Sequence, residues 1–545
     1  MAGKNILLIE PGYKNKYPPL GLMKIAQYHG PRGKKDNVRF IKGEDPSALG
    51  NAWDRIYVTT LFSFEYPKIS EAIDFALKVA NGHADKVFVG GIAASLMHER
   101  FLSESRWRGI RIIKGLLSEA PAVSLKLDDF SEEFYSDDRH STPIEDLIPD
   151  YSILGQIDYS YPVNDAYFAY ASRGCIRKCH FCGVPKLEGA QRDADSITNV
   201  VRGIDKVYGP KKDLLLMDNN VVASPKFREI MAEIRDLGFL PGAKLKRPGD
   251  RAPLQRRVDF NQGVDARILS RDPVFLKELS SICLRPLRIA FDHLGLKGPY
   301  EKSIRYAHEF GLAELSNYML YNFHDTPADL FERMRLNVTL NEELGIRIWS
   351  FPMRYQPTDL PHRGHIGEKW TRYQLRSMQT VLQATHGVVS GEPEFFKRAF
   401  GDTFQEFNDI LARPHQFIFN REWFDNGGGR GELDDYTAAS KKLSESQRAE
   451  LLALLSSCDP RDFHHLVKGC NDAALKAVLR FHIQIPKEKE REIWAKQREL
   501  KALAVPVELG LTEEERVEDA GLDFNVAELS KVKGTSSKQR ARVSA

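Results

Sequence analysis

The sequence predicts an α/β protein in three parts: an N-terminal doubly wound sheet, a central run of six strand–helix repeats, and a mostly helical C-terminal domain. Three observations carry this. Up to about residue 150, short apolar runs of buried-strand type alternate with a helical pattern. From Ala166 to about Gln356 the alternation resumes, with polar residues gathered where each strand ends, the place where parallel β/α sheets carry their chemistry. Beyond residue 360 the patterning is helical. A length of 545 residues is enough for two to four domains, and 42% apolar with 28% charged residues is ordinary for a soluble globular chain.

Composition bounds the function. The first ten residues hold only a four-residue apolar run, Ile6-Leu7-Leu8-Ile9, too short for a signal peptide, and no stretch approaches a membrane span. A cytoplasmic location and no membrane partner are therefore expected, and such a compartment suits unpaired thiols. The net charge of +3 is nearly neutral for this size, so any nucleic-acid contact must come from a local patch.

In the N-terminal part the runs Ile6–Ile9, Val38–Ile41, Ile56–Thr60, Lys86–Val89 and Ile110–Ile113 read as five parallel strands. Ile69–Ala80 between the third and fourth is apolar at helical spacing. Five strands with crossovers make a flavodoxin-like or Rossmann-like sheet over residues 1–150, with its ligand crevice at the carboxyl ends of the strands. Residues from about 115 to 165 read as a connector.

The central part opens on Ser172-Arg173-Gly174-Cys175-Ile176-Arg177-Lys178-Cys179-His180-Phe181-Cys182-Gly183, behind the strand-like run Tyr167–Tyr170. Three of the six cysteines fall within eight positions as C-x3-C-x2-C. Thiolates at such spacing hold iron–sulfur clusters, and three ligands leave one iron of a [4Fe–4S] cluster open. The alternatives are a zinc knuckle, for which His180 is poorly placed as fourth ligand, or three buried cysteines.

This loop, with an aromatic residue (Phe181) before its last cysteine, resembles that of the radical SAM superfamily. The resemblance, which covers roughly residues 5 to 360, implies a [4Fe–4S] cluster on Cys175, Cys179 and Cys182. It implies S-adenosylmethionine (SAM) on the open iron, reductive cleavage to a 5′-deoxyadenosyl radical, and an electron donor of the flavodoxin or ferredoxin type. It also implies that the six repeats of residues 166–360 form a (β/α)6 partial TIM barrel. Its strands are the run before the loop, Leu214–Met217, Val258–Val264, Leu287–Phe291, Leu315–Phe323 and Trp349–Tyr355.

Roles carry over strand by strand. Asp218, Asn219 and Asn220 occupy the place of the family's second-strand motif, whose acceptors take the methionine ammonium; a strand-ending Asx turn is the other reading. Gln262, Asp265, Arg267 and Asp292 end strands three and four, where family members contact the SAM carboxylate and ribose; each alone reads equally as a structural polar residue. Arg354, with Tyr355, is a further cofactor or substrate contact. No catalytic residue is singled out, and neither hydrogen abstraction nor methyl transfer is readable.

The segment Tyr17–Leu22 and the turn Val89-Gly90-Gly91 resemble the cobalamin-binding-type domain that precedes many radical SAM barrels. Its D-x-H-x-x-G cobalt-ligand motif is absent around His29, His83, His98 and His140. Either cobalamin binds without a histidine, or the domain serves as a substrate lid. The lack of any cysteine before Cys175 argues against the methylthiotransferase branch.

Two stretches remain. Residues 244–257 hold six cations and one acid, a solvated loop or an anchor for phosphate or nucleic acid, which leaves a nucleic-acid-modifying enzyme as an alternative. A non-catalytic cluster-bearing or SAM-binding protein is another. The helical part, 361–530, shows a capping box at Ser444-x-x-Gln447, a flexible glycine linker at Asn426–Gly431, a charged helix from Lys487, and a helix start at Thr512. Cys458, His464, His465 and Cys470 fit no tight metal motif, and 531–545 is a basic tail expected to be disordered.

Overall fold

A computed structural model describes residues 3–117, 144–194 and 196–503. His140, the helix start at Thr512 and the basic tail lie outside the described residues. The chain divides into two compact units. One runs to Asp325 and adds Arg335–Trp349 and Met353–His365; the other holds Thr326–Met334, Ser350–Pro352 and the chain from Ile366.

The first unit begins with β1 (Asn5–Glu10), α1 (Leu20–His29), β2 (Asn37–Lys42), β3 (Arg55–Thr60), α2 (Tyr66–Val79), β4 (Val87–Gly91) and β5 (Arg111–Ile112). Their order is β2-β1-β3-β4-β5, all parallel, with Ile6 opposite Val38, Leu7 opposite Ile56 and Val58 opposite Val89. Such strands are apolar throughout because helices cover both faces. Leu7, Ile9, Ile56, Val58 and Val89 pack with Ile69, Ile73 and Ala76 of α2, and α1 buries Leu22, Met23 and Ala26. The doubly wound N-terminal sheet read from the sequence is thus present, within a residue or two at each strand.

Besides two short antiparallel pairs, the six strands that follow are β6 (Ala166–Ala169), β7 (Asp213–Leu216), β8 (Val258–Phe260), β9 (Leu287–Arg288), β10 (Glu314–Tyr321) and β11 (Arg347–Arg354). They pair as two three-stranded sheets, β8-β7-β6 and β9-β10-β11. Two isolated parallel bridges, Val258 to Leu284 and Val264 to Ile289, run between the sheets. The third and fourth strands are shorter than their apolar runs suggest. A turn in which Gly263 N–H donates to Phe260 C=O at 2.8 Å ends β8 early, and pairing resumes only where Val264 N–H reaches Arg288 C=O at 2.9 Å.

Between β8 and β9 lies a buried ion pair. Arg288 Nε and Nη2 donate to the two Asp259 oxygens at 2.8 and 2.9 Å, and Arg288 Nη1 donates to Ser316 Oγ at 3.1 Å. Burial pushes the Asp259 carboxyl up, but Arg288 beside it holds it below the ordinary carboxylate range.

The second unit is helical. Capping boxes at Thr371/Gln374 and Ser444/Gln447 open the helices Arg372–Ala384 and Glu445–Ser457. Tyr373, Phe417, Phe424, Leu433, Tyr436, Leu451, Leu455 and Leu475 form its core. The glycine stretch is not a linker. It joins helices Arg421–Asn426 and Arg430–Ser440, and a Cβ on Gly428 or Gly429 would come within 2.6 or 2.7 Å of the Trp423 or Phe424 rings. The glycines are there so that the backbone can lie against those aromatic rings. The charged helix runs from Lys487 to Leu503. Among the described residues, no helix is long and apolar enough to cross a membrane.

Candidate functional site

The cysteine loop leaves β6 and is closed at its base by a short antiparallel ladder in which Ser172 pairs with Asp193 and Arg173 with Arg192. Gly174 makes the entry turn at φ +73°, and a Cβ there would come 2.2 Å from Ala190 C=O, so only glycine fits. Cys175 N–H donates to Gly189 C=O at 3.3 Å, and the loop exits into the short helix Val184–Leu187. Leu96, at the end of the Ile92–Leu96 helix that follows β4, lies against Gly183 at that exit. The helix that follows β4 therefore touches the exit of the cysteine loop.

Cys175, Cys179 and Cys182 are free thiols, half-buried. Two already accept backbone N–H groups: Arg177 N–H to Cys175 Sγ at 3.3 Å and Val184 N–H to Cys182 Sγ at 3.4 Å. Burial pushes the Cys179 and Cys182 thiols up; Arg267 pulls Cys179 the other way, and Cys175 and Asp292 act on both. His180 is exposed. Among the described residues no three His, Cys, Asp or Glu side chains, these three thiols included, converge on a point that would hold a single metal ion. Three half-buried thiols on one loop, with the neighbouring His180 exposed, are a donor set that suits an iron–sulfur cluster rather than a four-ligand zinc site.

Phe181, the aromatic before the last cysteine, meets Phe323 edge-on at 5.7 Å, and Phe323 meets Tyr355 at 4.7 Å. Asn322 Nδ2 donates to the carbonyls of Tyr355 at 3.1 Å and His365 at 3.2 Å, and Arg354 Nη2 donates to His365 C=O at 2.7 Å. The ends of β10 and β11 are thereby packed onto the loop. Arg354 Nε is buried with no acceptor.

The residues predicted to contact SAM fall into different positions. The carboxylate of Asp218, 1% exposed, is taken up by the chain: Ala171 N–H donates to Oδ2 at 2.9 Å, and Ser172 donates to Oδ1 through its N–H and, at 2.7 Å, its hydroxyl. It anchors the strand that feeds the cysteine loop rather than facing a ligand, and burial pushes its pKa up to about 6. Asn219 is half-buried, with Nδ2 donating to Glu188 Oε2 at 3.0 Å. Asn220 is buried, its carbonyl accepting from Gln191 Nε2 at 3.1 Å while Asn220 Oδ1 and Gln191 Oε1 lack donors.

Asp265 is buried and accepts from Arg177 Nε and from Arg267 Nε, each at 2.7 Å. It also caps the short helix Ala266–Leu269. Asp292 is half-buried, close enough to act on Cys179, Cys182 and Arg267; Gln262 is exposed on the turn after β8.

Sequence reasoning gave no site role to Glu188 or Arg173, and named Tyr17 only within the segment that resembles a cobalamin-binding-type domain. Glu188 Oε2 accepts from Gly174 N–H at 2.8 Å, and Arg173 lies between Glu188 and Glu145 at 3.6 and 3.4 Å with its guanidinium 3.9 Å over the Tyr170 ring. The Tyr17 hydroxyl, on the stretch after β1, donates to Asn261 Oδ1 at 2.5 Å at the end of β8. Arg173 next to Gly174 was visible in the loop; a lone Glu in a polar stretch and a Tyr beside two prolines carry no signal of their own.

The basic stretch folds as a hairpin, Lys244–Leu245 against Leu254–Gln255. Three of its cations face inward. Arg247 grips Asp165 at 3.0 and 2.7 Å, Arg256 Nε donates to Lys212 C=O at 3.1 Å, and Arg257 Nε donates to Asp213 at 3.0 Å. Lys244, Lys246 and Arg251 are exposed.

In the N-terminal sheet, both ring nitrogens of the buried His29 are engaged, Nδ1 with Asp36 at 2.7 Å and Nε2 with the Tyr57 hydroxyl at 3.1 Å. His83 precedes β4, at the amino end of the strand, and His98 Nε2 lies 3.3 Å from Ile112 C=O.

No family model and no curated protein matches the chain. Among solved structures it is similar to the radical S-adenosylmethionine methyltransferase TsrM from Kitasatospora setae, solved with its tryptophan substrate and a SAM analogue: 15% identity over 66% of this chain and 75% of that one, TM-score 0.43. The cobalamin-dependent radical enzyme OxsB, with aqua-cobalamin and SAM bound, is similar at 13% identity over 95% of this chain and 83% of that one, TM-score 0.46. SuiB from Streptococcus suis, bound to SAM, is similar at 13% identity over 58% of this chain and 62% of that one, TM-score 0.27.

Proposed function

We propose that this chain is a radical SAM enzyme with a cobalamin-binding-type N-terminal domain and a partial β/α barrel. Cys175, Cys179 and Cys182 would hold a [4Fe–4S] cluster, and SAM would bind against the ends of β7, β8, β9 and β11. The observation that carries this reading is the cysteine loop: three half-buried thiols, two of them already accepting backbone N–H bonds, on a loop closed by its own β-ladder.

Bound there, cluster and SAM supply the reductive cleavage that begins radical chemistry; the chain supplies binding, orientation and exclusion of water. Asn219 offers an acceptor suited to an ammonium. The two buried acceptors without donors, Asn220 Oδ1 and Gln191 Oε1, mark the same strand end as short of hydrogen-bond donors. Arg267 and Arg354 suit a carboxylate, and the edge-on contacts Phe181–Phe323 and Phe323–Tyr355 pack the ends of β10 and β11 against the loop. Cobalamin would lie at the carboxyl ends of β1 and β3, the switch point of the N-terminal sheet, next to the face that Leu96 presents to the loop.

Anaerobic incubation with a reductant and SAM tests the proposal through its products. 5′-Deoxyadenosine alone indicates hydrogen abstraction, and 5′-deoxyadenosine with S-adenosylhomocysteine indicates methyl transfer. Neither product would assign the chain to cluster-bearing binding proteins without turnover.

A further inference from the structure

We infer that Glu188 is a positioning residue for the ammonium group of SAM, acting through Asn219. The inference rests on the SAM reading above. A primary amide presents an acceptor at one end and donors at the other, and only the acceptor end suits an ammonium. Which end Asn219 offers is decided by its neighbour. Glu188 Oε2 lies 3.0 Å from Asn219 Nδ2, and a carboxylate accepts but does not donate, so the NH2 end is committed to Glu188 and Oδ1 is the end left for a ligand.

Glu188 is itself held. The same Oε2 accepts from Gly174 N–H at 2.8 Å and faces Arg173 Nε at 3.6 Å, and the side chain is only 10% exposed. Backbone bonds hold its stretch against the loop entry, with Cys175 N–H on Gly189 C=O. One oxygen thus joins the entry of the cysteine loop (Gly174), its return (Glu188) and the end of β7 (Asn219). With Glu188 absent, the Asn219 amide is free to turn and present N–H groups toward the ammonium, which repels them.

The test is a double-mutant cycle on the full-length, cluster-reconstituted protein, reading SAM affinity by equilibrium dialysis and iron by assay. Glu188→Ala and Asn219→Ala should each retain iron and weaken SAM about tenfold, the effect of one lost charge-assisted hydrogen bond. The double variant should be no weaker than Asn219→Ala. Glu188→Gln, whose amide can turn either end toward Asn219, should fall between wild type and Glu188→Ala.

Wild-type affinity in Asn219→Ala would remove the ammonium site itself, and the inference with it. A weakened Asn219→Ala beside an unaffected Glu188→Ala, or single effects that multiply to about a hundredfold in the double variant, would overturn the inference alone. Should Glu188→Ala emerge without iron, Glu188→Gln decides: weakened SAM binding with full iron supports the inference, and wild-type binding assigns Glu188 to the loop only and overturns it.

Discussion

Arg177 Nε donates to Asp265 Oδ2 at 2.7 Å, so a side chain from inside the cysteine loop is tied to the residue that caps the helix after β8. Arg267 takes the other carboxylate oxygen at 2.7 Å. Burial pushes the Asp265 carboxyl up, but the two guanidiniums hold it below its ordinary range. The loop is therefore braced at its base by the β-ladder and in its middle by this ion pair.

Arg177→Ala removes the middle brace and leaves the thiols in place. A charge-assisted hydrogen bond contributes about 1.5–3 kcal/mol, so loss of iron to a chelator should be roughly ten- to a hundredfold faster than in wild type. An unchanged rate of iron release, followed by visible absorbance, would show that the pair does not hold the loop.

Arg288 and Asp259 are 4% exposed, and each satisfies the other. Removing one partner leaves a buried charge uncompensated, so Arg288→Met should destabilise by about 3–5 kcal/mol in denaturant unfolding. Replacing both, as Asp259→Leu with Arg288→Met, should cost less than the single change. A single variant as stable as wild type would contradict this account of the pair.

Asp218 gives a pH signature. Its folded pKa of about 6 lies above the ordinary 3.8, so the folded state binds the extra proton between these values. Its contribution is present in full below about pH 4 and is lost as pH rises through 6, by up to about 3 kcal/mol in all. Wild type should lose stability relative to Asp218→Asn between about pH 4 and pH 6, with the difference levelling off above about pH 7. A difference that is flat, or grows with pH in favour of wild type, would mean that the three donors from Ala171 and Ser172 outweigh burial.

If the N-terminal sheet takes up cobalamin, its cobalt should carry no imidazole from His29, His83 or His98. His29 has both nitrogens occupied, and His83 sits at the wrong end of β4. After reconstitution with hydroxocobalamin, the Co(II) form should show no nitrogen superhyperfine splitting that disappears in His29→Ala, His83→Ala or His98→Ala. A splitting lost in any of them identifies a protein ligand, and the prediction fails.

The strands of the N-terminal sheet were legible because buried parallel strands are apolar at every position, and Ile6–Ile9 or Lys86–Val89 have no other reading between their polar flanks. The early end of β8 was not, because Val264 is as apolar as Val258 and only the turn through Gly263 separates them. The glycine stretch at 426–431 reads as a linker by composition; its packing on Trp423 and Phe424 depends on a helix crossing that composition does not encode.

By itself the sequence determined the cysteine loop and the doubly wound order of elements before it, since spacing along a chain and strand periodicity are local properties. The tertiary structure alone decided how the polar residues at the strand ends are used. Asp218, Asn219 and Asn220 are neighbours in sequence, yet one anchors the backbone of residues 171–172, one is oriented by Glu188, and one is buried beside Gln191. Which of them meets a ligand depends on donors and acceptors brought from some thirty to forty-seven residues away, as the separations of these pairs record. The polarity of an amide and the ionisation of a carboxylate are set by neighbours in space, and these the order of residues does not state.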